Sequence, residues 1–188
     1  LFTVSKKQVF YFLSLALPLT LFSAFTEIYS RIDQVMLKHY MSTTTVGLYA
    51  AATRLTEIWY VLPNILFSAL FPALVNAKTQ SDNEYEKRFR SYALLLLYTS
   101  LFISFVTFII KKYIILFIYG NSFIGASPLL SIYVFSLFGS FITGLIYQDL
   151  LLKKKMFLIA FIPAFTALLN IALNIYLIPS HGAAGAAL

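Results

Sequence analysis

Charged side chains are scarce in this sequence. Only 11% of its 188 residues are Asp, Glu, Lys or Arg, whereas 60% are hydrophobic, and the mean hydropathy is +0.84. An average soluble domain carries about 25% charged residues. Too few polar side chains are present to coat a globular surface around this much apolar material. The composition therefore excludes an ordinary soluble domain and predicts an all-α, polytopic membrane protein.

Cysteine is absent, and histidine occurs only twice. The absence of cysteine excludes disulfides and thiolate metal sites. His39 and His181 have no ligand spacing, and the sequence contains no glycine-rich phosphate loop and no nucleophile motif. We therefore expect no catalytic residues, no metal site, no bound cofactor and a protein that is not an enzyme. The net charge of +7 does not indicate nucleic-acid binding, because the basic residues fall between apolar runs.

Long apolar runs fill most of the chain, and a spanning helix needs about 20 mostly apolar residues. Five runs qualify, at about 9–37, 46–77, 92–110, 128–152 and 156–178. Residues 111–127 are apolar but short and broken at Gly120, which predicts an interfacial or re-entrant segment. The chain begins at Leu1 rather than Met, and Gly182–Leu188 resembles the opening of another helix. We therefore expect five spans plus the start of a sixth, within a fragment of a longer protein.

Basic residues are distributed unevenly between the two ends of these runs. One side holds Lys6, Lys7, Lys78, Lys87, Arg88, Arg90, Lys153, Lys154 and Lys155. The other side holds Lys38, Lys111 and Lys112. Cytoplasmic loops carry the excess of Lys and Arg, so the first side is predicted to be cytoplasmic and the second external.

Five ionisable residues interrupt the first two runs, namely Glu27, Arg31, Asp33, Arg54 and Glu57. A charge inside a bilayer costs about 2.5–3.5 kcal/mol, so such residues indicate a functional site by default. They lie on or beside two polar stripes with helical spacing, within 20–34 and 49–68. Glu27 and Arg31 are i, i+4 neighbours that can pair, whereas Asp33 points toward a different helix or the external edge. The stripes predict one polar wall of a hydrated cavity.

Two other interpretations of these charges remain open from the sequence. If the hydrocarbon core ends near Tyr29, Arg31 and Asp33 lie at the external interface and Arg54 extends outward to join them. Alternatively, the acidic and basic side chains of each stripe pair only to neutralise each other. On the last run, Asn170 and Asn174 share a helix face, where they either hydrogen-bond across helices or line the cavity.

The same residues also carry a resemblance to a known family. The motifs are Arg31-Ile32-Asp33, Val46–Ala52, Glu57–Tyr60, Phe71-Pro72 and Leu169–Asn174. The first four resemble the seventh and eighth helices of Wzx-type O-antigen flippases, and the last is similar to a later helix of that family. These flippases belong to the multidrug/oligosaccharidyl-lipid/polysaccharide exporter superfamily. The resemblance implies two six-helix bundles around a central cavity, of which this chain supplies the second.

The resemblance further implies a multi-pass transporter of the bacterial inner membrane. Its substrate would be a polyprenyl-diphosphate-linked oligosaccharide, an O-antigen or capsule repeat unit, moved between leaflets by alternating access. Arg31 and Arg54 are candidates for binding the diphosphate, since a guanidinium binds phosphate oxygens in pairs. The other candidate substrate-binding residues are Glu27, Asp33, Glu57, Tyr60, Asn64, Asn170 and Asn174. The carboxylates are also candidates for binding a coupling proton or sodium ion.

The expected partners are membrane lipids, the lipid-linked oligosaccharide and other polysaccharide-assembly membrane proteins, and not nucleic acid. A multidrug exporter of the same superfamily is the first alternative, although Arg31 and Arg54 disfavour a cavity for cationic drugs. A membrane enzyme of glycan assembly is the second, but such enzymes usually need a large external loop, and the segment 111–127 is short and mostly apolar. A non-transporting scaffold would leave Glu27 unexplained.

Overall fold

The computed structural model describes residues 5–187, and all regular structure in this range is helical. The helices are α1 Lys6–Tyr40, α2 Thr43–Glu57, α3 Val61–Gln80, α4 Asp82–Tyr119, α5 Ser127–Tyr133, α6 Ser136–Leu152, α7 Met156–His181 and α8 Ala183–Ala187. Short 3₁₀ segments at Ile58–Tyr60 and Asn121–Ala126 precede α3 and α5.

Within residues 5–187, four helical segments are long and apolar enough to cross a membrane. The number rises to five if Asn121–Tyr133 and α6, which meet at 46°, form one span. The prediction of an all-α protein with several spans is therefore confirmed for the described residues. A count of five spans, and the assembly of two bundles, stay predictions. The expected start of a further helix corresponds to α8.

Helix ends follow the local chemistry of the chain. Ser42 caps α2 and Ser81 caps α4, each accepting a hydrogen bond from the backbone N–H three residues later, at 3.3 and 3.1 Å. Gly120 ends α4 with a φ of +79°, and Gly182 ends α7 with a φ of +61°. These left-handed conformations favour glycine, which has no Cβ to clash with the backbone.

Helix α4 is longer than the predicted span 92–110. It continues from Asp82 to Tyr119 because neither Gly nor Pro interrupts this stretch. Its 38 residues extend about 57 Å at about 1.5 Å per residue, against a hydrocarbon thickness of about 30 Å. The first part of the segment 111–127 is thus a continuation of α4, and only its second part, after Gly120, is separate. Its interfacial location stays a prediction.

The second and fourth predicted spans are each interrupted in the middle. In the second, the 3₁₀ segment Ile58–Tyr60 separates α2 from α3. Pro63 lacks the N–H that an unbroken helix would donate to the carbonyl of Trp59. In the fourth, α5 ends before Val134, whose carbonyl accepts a hydrogen bond from Ser104 Oγ of α4 at 3.0 Å. Neither Gly nor Pro marks this second break, which explains why the sequence did not predict it.

Most of the buried apolar side chains form two separate clusters. The upper core comprises Leu37, Tyr49, Ala51, Ala52, Leu55, Ile115, Ala126, Leu129, Leu130, Ile178, Ala183 and Ala186. The lower core comprises Leu74, Ala77, Tyr85, Leu96, Ile103, Val134, Leu137, Phe141 and Leu145. The upper core joins the helix ends that the basic residues predict to be external. The C-terminal ends of α1 and α7 both lie there, so these two helices run in the same direction.

Candidate functional site

Arg31 is shared between two carboxylates. Its Nε lies 3.2 Å from Glu27 Oε1, one turn earlier on α1, and its Nη1 lies 3.6 Å from Glu57 Oε1, on the last residue of α2. The Arg31 side chain is 51% exposed, and those of Glu27 and Glu57 are 71% and 28% exposed. Accessible ion pairs contribute at most about 1 kcal/mol. Both ion pairs leave the Arg31 guanidinium accessible to a further partner.

Arg54 lies in a different environment. The sequence left open a pair between Arg54 and Glu57, but Glu57 turns to Arg31 instead. Arg54 is exposed, and it forms no ion pair with any side chain in the described range 5–187. Its guanidinium carries five N–H donors, none of which is engaged by a carboxylate of the described residues.

Asp33 faces away from Arg31 and is buried, with 6% of its surface exposed. Its Oδ2 accepts a hydrogen bond from the Tyr49 hydroxyl at 2.9 Å, and its Oδ1 accepts one from Asn174 Nδ2 at 2.7 Å. Helices α1, α2 and α7 therefore meet at this carboxylate, which confirms the expectation that Asp33 reaches another helix. These hydrogen bonds offset part of the cost of burying a carboxylate.

Tyr49 connects Asp33 to α8. The Tyr49 oxygen lies 2.9 Å from Asp33 Oδ2 and 3.1 Å from the carbonyl oxygen of Ala186. A phenol has one proton, so it donates fully to only one of these acceptors at a time. A protonated Asp33 would donate to the Tyr49 oxygen, and Tyr49 would then donate to Ala186. The same arrangement of heavy atoms therefore accommodates both protonation states of Asp33.

Asn170 and Asn174 extend this hydrogen-bonded group along α7. Asn174 Nδ2 donates to Asn170 Oδ1 at 3.1 Å as well as to Asp33. Of the two roles that the sequence left open, hydrogen bonding across helices is observed for Asn174. The group contains carboxylate, amide, phenol and carbonyl oxygens, the type of ligand that hard cations take.

Tyr60 lies in the break between α2 and α3 and Asn64 follows it on α3, so the predicted second stripe is not one continuous helix face. Tyr60 is half-buried and packs against the lower core, whereas Asn64 is exposed. Neither residue is part of the hydrogen-bonded group at Asp33. Both lie close in sequence to Glu57, at the level where the two cores meet.

Two further tyrosines lie at this wall, and sequence reasoning did not single them out. Tyr133 packs against the upper core, and its ring centroid lies 5.9 Å from that of Tyr49, which hydrogen-bonds to Asp33. Tyr29 lies on α1 four residues before Asp33, on the same side of the helix. The position of Tyr29, two residues before Arg31, is a signal in the sequence. Tyr133 has none, because it comes from a helix that is distant in sequence.

Comparison with known proteins identifies one similarity, in the first part of the chain. Residues 1–78 match a family model described as polysaccharide biosynthesis protein. The matched range includes all five ionisable residues of the first two predicted spans and ends two residues before the end of α3. No curated protein and no solved structure matches the chain. The match and the apolar helices together support a multi-pass membrane protein of polysaccharide assembly.

The matched range does not reach α4–α8. The contribution of these helices to the site therefore rests on their contacts with α1 and α2. Those contacts are the hydrogen bonds from Asn174 to Asp33 and from Tyr49 to the Ala186 carbonyl.

Proposed function

We propose that this chain forms the second helical bundle of a Wzx-type flippase. The transporter moves a polyprenyl-diphosphate-linked oligosaccharide, such as an O-antigen or capsule repeat unit, across the bacterial inner membrane by alternating access. The observation that carries the proposal is the pair of accessible guanidinium groups, Arg31 and Arg54, on a wall of apolar helices. The family match over residues 1–78 supports a role in polysaccharide assembly.

In this proposal the diphosphate binds first to Arg54 and then to Arg31. Arg54 has no carboxylate partner to lose within the described residues, so it meets the anion directly. Arg31 then exchanges Glu27 or Glu57 for a phosphate oxygen, and the guanidinium fork matches the two oxygens of one phosphate. On release, the carboxylates return to Arg31. The exchange keeps Arg31 paired with an anionic group both with and without bound substrate, which lowers the free-energy cost of substrate release.

The sugar part of the substrate binds beside the arginines. Tyr60 and Asn64 follow Glu57 along the chain, and Tyr29 and Tyr133 lie on neighbouring helices. Phenol and amide groups both donate and accept hydrogen bonds, as sugar hydroxyls do. The protein transports its substrate in this proposal and makes or breaks no covalent bond.

Asp33 provides the site for the coupling ion, a proton or a sodium ion. It is buried, unlike Glu27, and its partners lie on α2 and α7. Charging or neutralising this carboxylate changes the attraction between three helices at once. Asn170 and Asn174 are assigned to this ion site, in preference to the sugar site.

The proposal is tested by lipid-linked oligosaccharide translocation with the full-length protein. We expect Arg31→Ala and Arg54→Ala each to reduce transport at least tenfold. Lys variants at the same positions should retain part of the activity, because they keep the charge and lose the bidentate geometry. Arg90→Ala, an exposed site outside the wall, is the matched control and should transport normally. Normal transport by both Ala variants, at normal protein levels, would refute the binding role.

A further inference from the structure

The two hydrophobic cores meet where two neighbouring spans are both broken. In one span, Leu55 belongs to the upper core, and Trp59 packs against the lower core. In the other, Tyr133 packs against the upper core, and the next residue, Val134, belongs to the lower core. The boundary between the cores therefore passes through both breaks.

The backbone at these breaks is held by i→i+3 hydrogen bonds. The N–H of Val61 bonds to the carbonyl of Ile58, and Pro63 supplies no N–H. In the other span, Phe135 and Leu137 each donate to the carbonyl three residues earlier, at 3.2 Å. Hydrogen bonds of this type have poorer geometry than α-helical ones, and a 3₁₀ stretch inside a helix often marks a hinge. The second break also bends its span by 46°.

The lower core is locked together by specific contacts between its helices. A Cβ on Gly144 of α6 would lie 2.2 Å from Phe67 Cε2, so the Phe67 ring from α3 occupies the space above the glycine. The Tyr85 hydroxyl at the start of α4 donates to Asp149 near the end of α6. Helices α3, α4 and α6 are therefore coupled to one another below the breaks.

The upper core has locking contacts of its own. A Cβ on Gly125 would lie 3.1 Å from Leu48 Cδ1, so the 3₁₀ segment before α5 packs closely on α2. Tyr49 joins α2 to α1 through Asp33 and to α8 through the Ala186 carbonyl. None of these contacts crosses to the lower core. Each core thus has tight internal packing, and the helical connection between them is weakest at the two breaks.

Helix α4 runs unbroken past this boundary and contributes Ile103 to one core and Ile115 to the other. At the break, its Ser104 Oγ donates to the Val134 carbonyl at 3.0 Å. One turn later, Thr107 Oγ1 is buried and has no hydrogen-bond partner among the described residues. A buried hydroxyl without a partner is costly, so the contact between α4 and the broken span leaves one polar group unsatisfied at the level of the break.

We infer that the breaks after α2 and after α5 form a single hinge, about which the upper core, with α2 and α5, tilts relative to the lower core that α3, α4 and α6 form. Alternating access is largely rigid-body rocking of one bundle against the other, which requires no bend inside a bundle. The hinge therefore goes beyond the proposed transport function, and it does not depend on the identity of the substrate.

Spin-label distances in the intact protein, reconstituted in lipid vesicles, test the hinge. This chain contains no cysteine, so introduced pairs are the only thiols that it carries. Thr44 and Asn76 are exposed at opposite ends of the broken α2–α3 span and form the cross-hinge pair. Thr44 with Ser122 reports on the upper core, and Asn76 with Ser91 on the lower core. We expect the cross-hinge distance distribution to be at least twofold wider than both others. Equal widths for all three pairs would overturn the inference.

A proline substitution tests the position of the hinge. Pro63→Ala restores the N–H that the Trp59 carbonyl lacks, so it should narrow the cross-hinge distribution and leave the other two unchanged. Pro72→Ala, on the same helix but within the lower core's span, is the matched control and should leave all three unchanged. An unchanged cross-hinge width in Pro63→Ala would contradict the assignment of the hinge to this break. If Pro63→Ala fails to accumulate, the widths of the three distance distributions in the wild-type protein test the hinge.

Discussion

Replacing Tyr49 by Phe removes one oxygen atom from the group around Asp33. The ring itself is fully buried, and its contact with the ring of Tyr133 at 5.9 Å is retained in Phe. The loss is therefore limited to the hydroxyl that lies 2.9 Å from Asp33 Oδ2 and 3.1 Å from the Ala186 carbonyl. Asp33 keeps its hydrogen bond from Asn174 at 2.7 Å.

The size of the effect follows from these contacts. A hydrogen bond to a charged group contributes about 1.5–3 kcal/mol in soluble proteins, whereas hydrogen bonds between membrane helices average about 0.6 and reach about 1.7 kcal/mol. Tyr49 is buried and its acceptor is a carboxylate, so a value near the upper membrane limit applies. We expect Tyr49→Phe to lower the free energy of unfolding by about 1–2 kcal/mol, in keeping with these ranges.

Reversible unfolding of the intact protein in mixed micelles measures this loss. A double-mutant cycle with Asp33→Asn isolates the Tyr49–Asp33 interaction, because the two single variants then share a lost contact and their effects are not additive. Tyr98→Phe, at a site that is 66% exposed, is the control and should change the free energy of unfolding by less than about 0.5 kcal/mol. If Tyr49→Phe costs no more than Tyr98→Phe, or if the cycle shows strict additivity, the assigned hydrogen bond is wrong.

Two further predictions concern packing and coupling. Gly144→Ala places a Cβ 2.2 Å from the Phe67 ring and should cost about 1–3 kcal/mol of stability, partly recovered by Phe67→Leu. Gly139→Ala, with nothing within 4 Å of its Cβ, should instead stabilise the helix by about 0.5–1 kcal/mol. Equal changes in the free energy of unfolding in micelles for the two glycine variants would refute the packing argument. Asp33→Asn should make transport by the full-length protein insensitive to proton and sodium gradients, while Glu27→Gln remains sensitive. Retained gradient dependence in Asp33→Asn would exclude it as the coupling site.

Local spacing predicted the parts of the site that lie within one helix. Glu27 and Arg31 are four residues apart, and their pair forms as the helix period requires. Asp33 lies two residues from Arg31, so the helix period directs it to a different side of α1. On that side, Tyr49 of α2 and Asn174 of α7 donate hydrogen bonds to it. The length of the apolar runs predicted that they are helical, because a chain that spans a membrane has few ways to satisfy its backbone other than internally.

Contacts between segments that are distant along the chain could not be predicted from the sequence. From the sequence, Glu57 could pair with either Arg31 or Arg54. The packing of α1 beside the end of α2 brings Arg31 to the Glu57 carboxylate. The break at Val134 has no Gly or Pro and arises where Ser104 of α4 bonds to its carbonyl. The extension of α4 past Lys111 was missed for another reason. Paired lysines resemble the end of a span, but they do not stop a helix, and the Lys111 ammonium lies over the Phe108 ring at 3.8 Å.

The continuity of α4 has a consequence for how this protein can vary. Because α4 supplies Ile103 to the lower core and Ile115 to the upper core, the two faces of α4 that pack on these cores keep a fixed angular relation about the helix axis. Each residue inserted or deleted between them turns the rest of the helix by about 100°. A single deletion would thus direct Ile115 away from its core while leaving Ile103 in place, whereas a substitution at exposed Phe105 leaves this angular relation unchanged. Sequence change in this stretch is therefore restricted to substitutions, or to length changes of nearly whole turns.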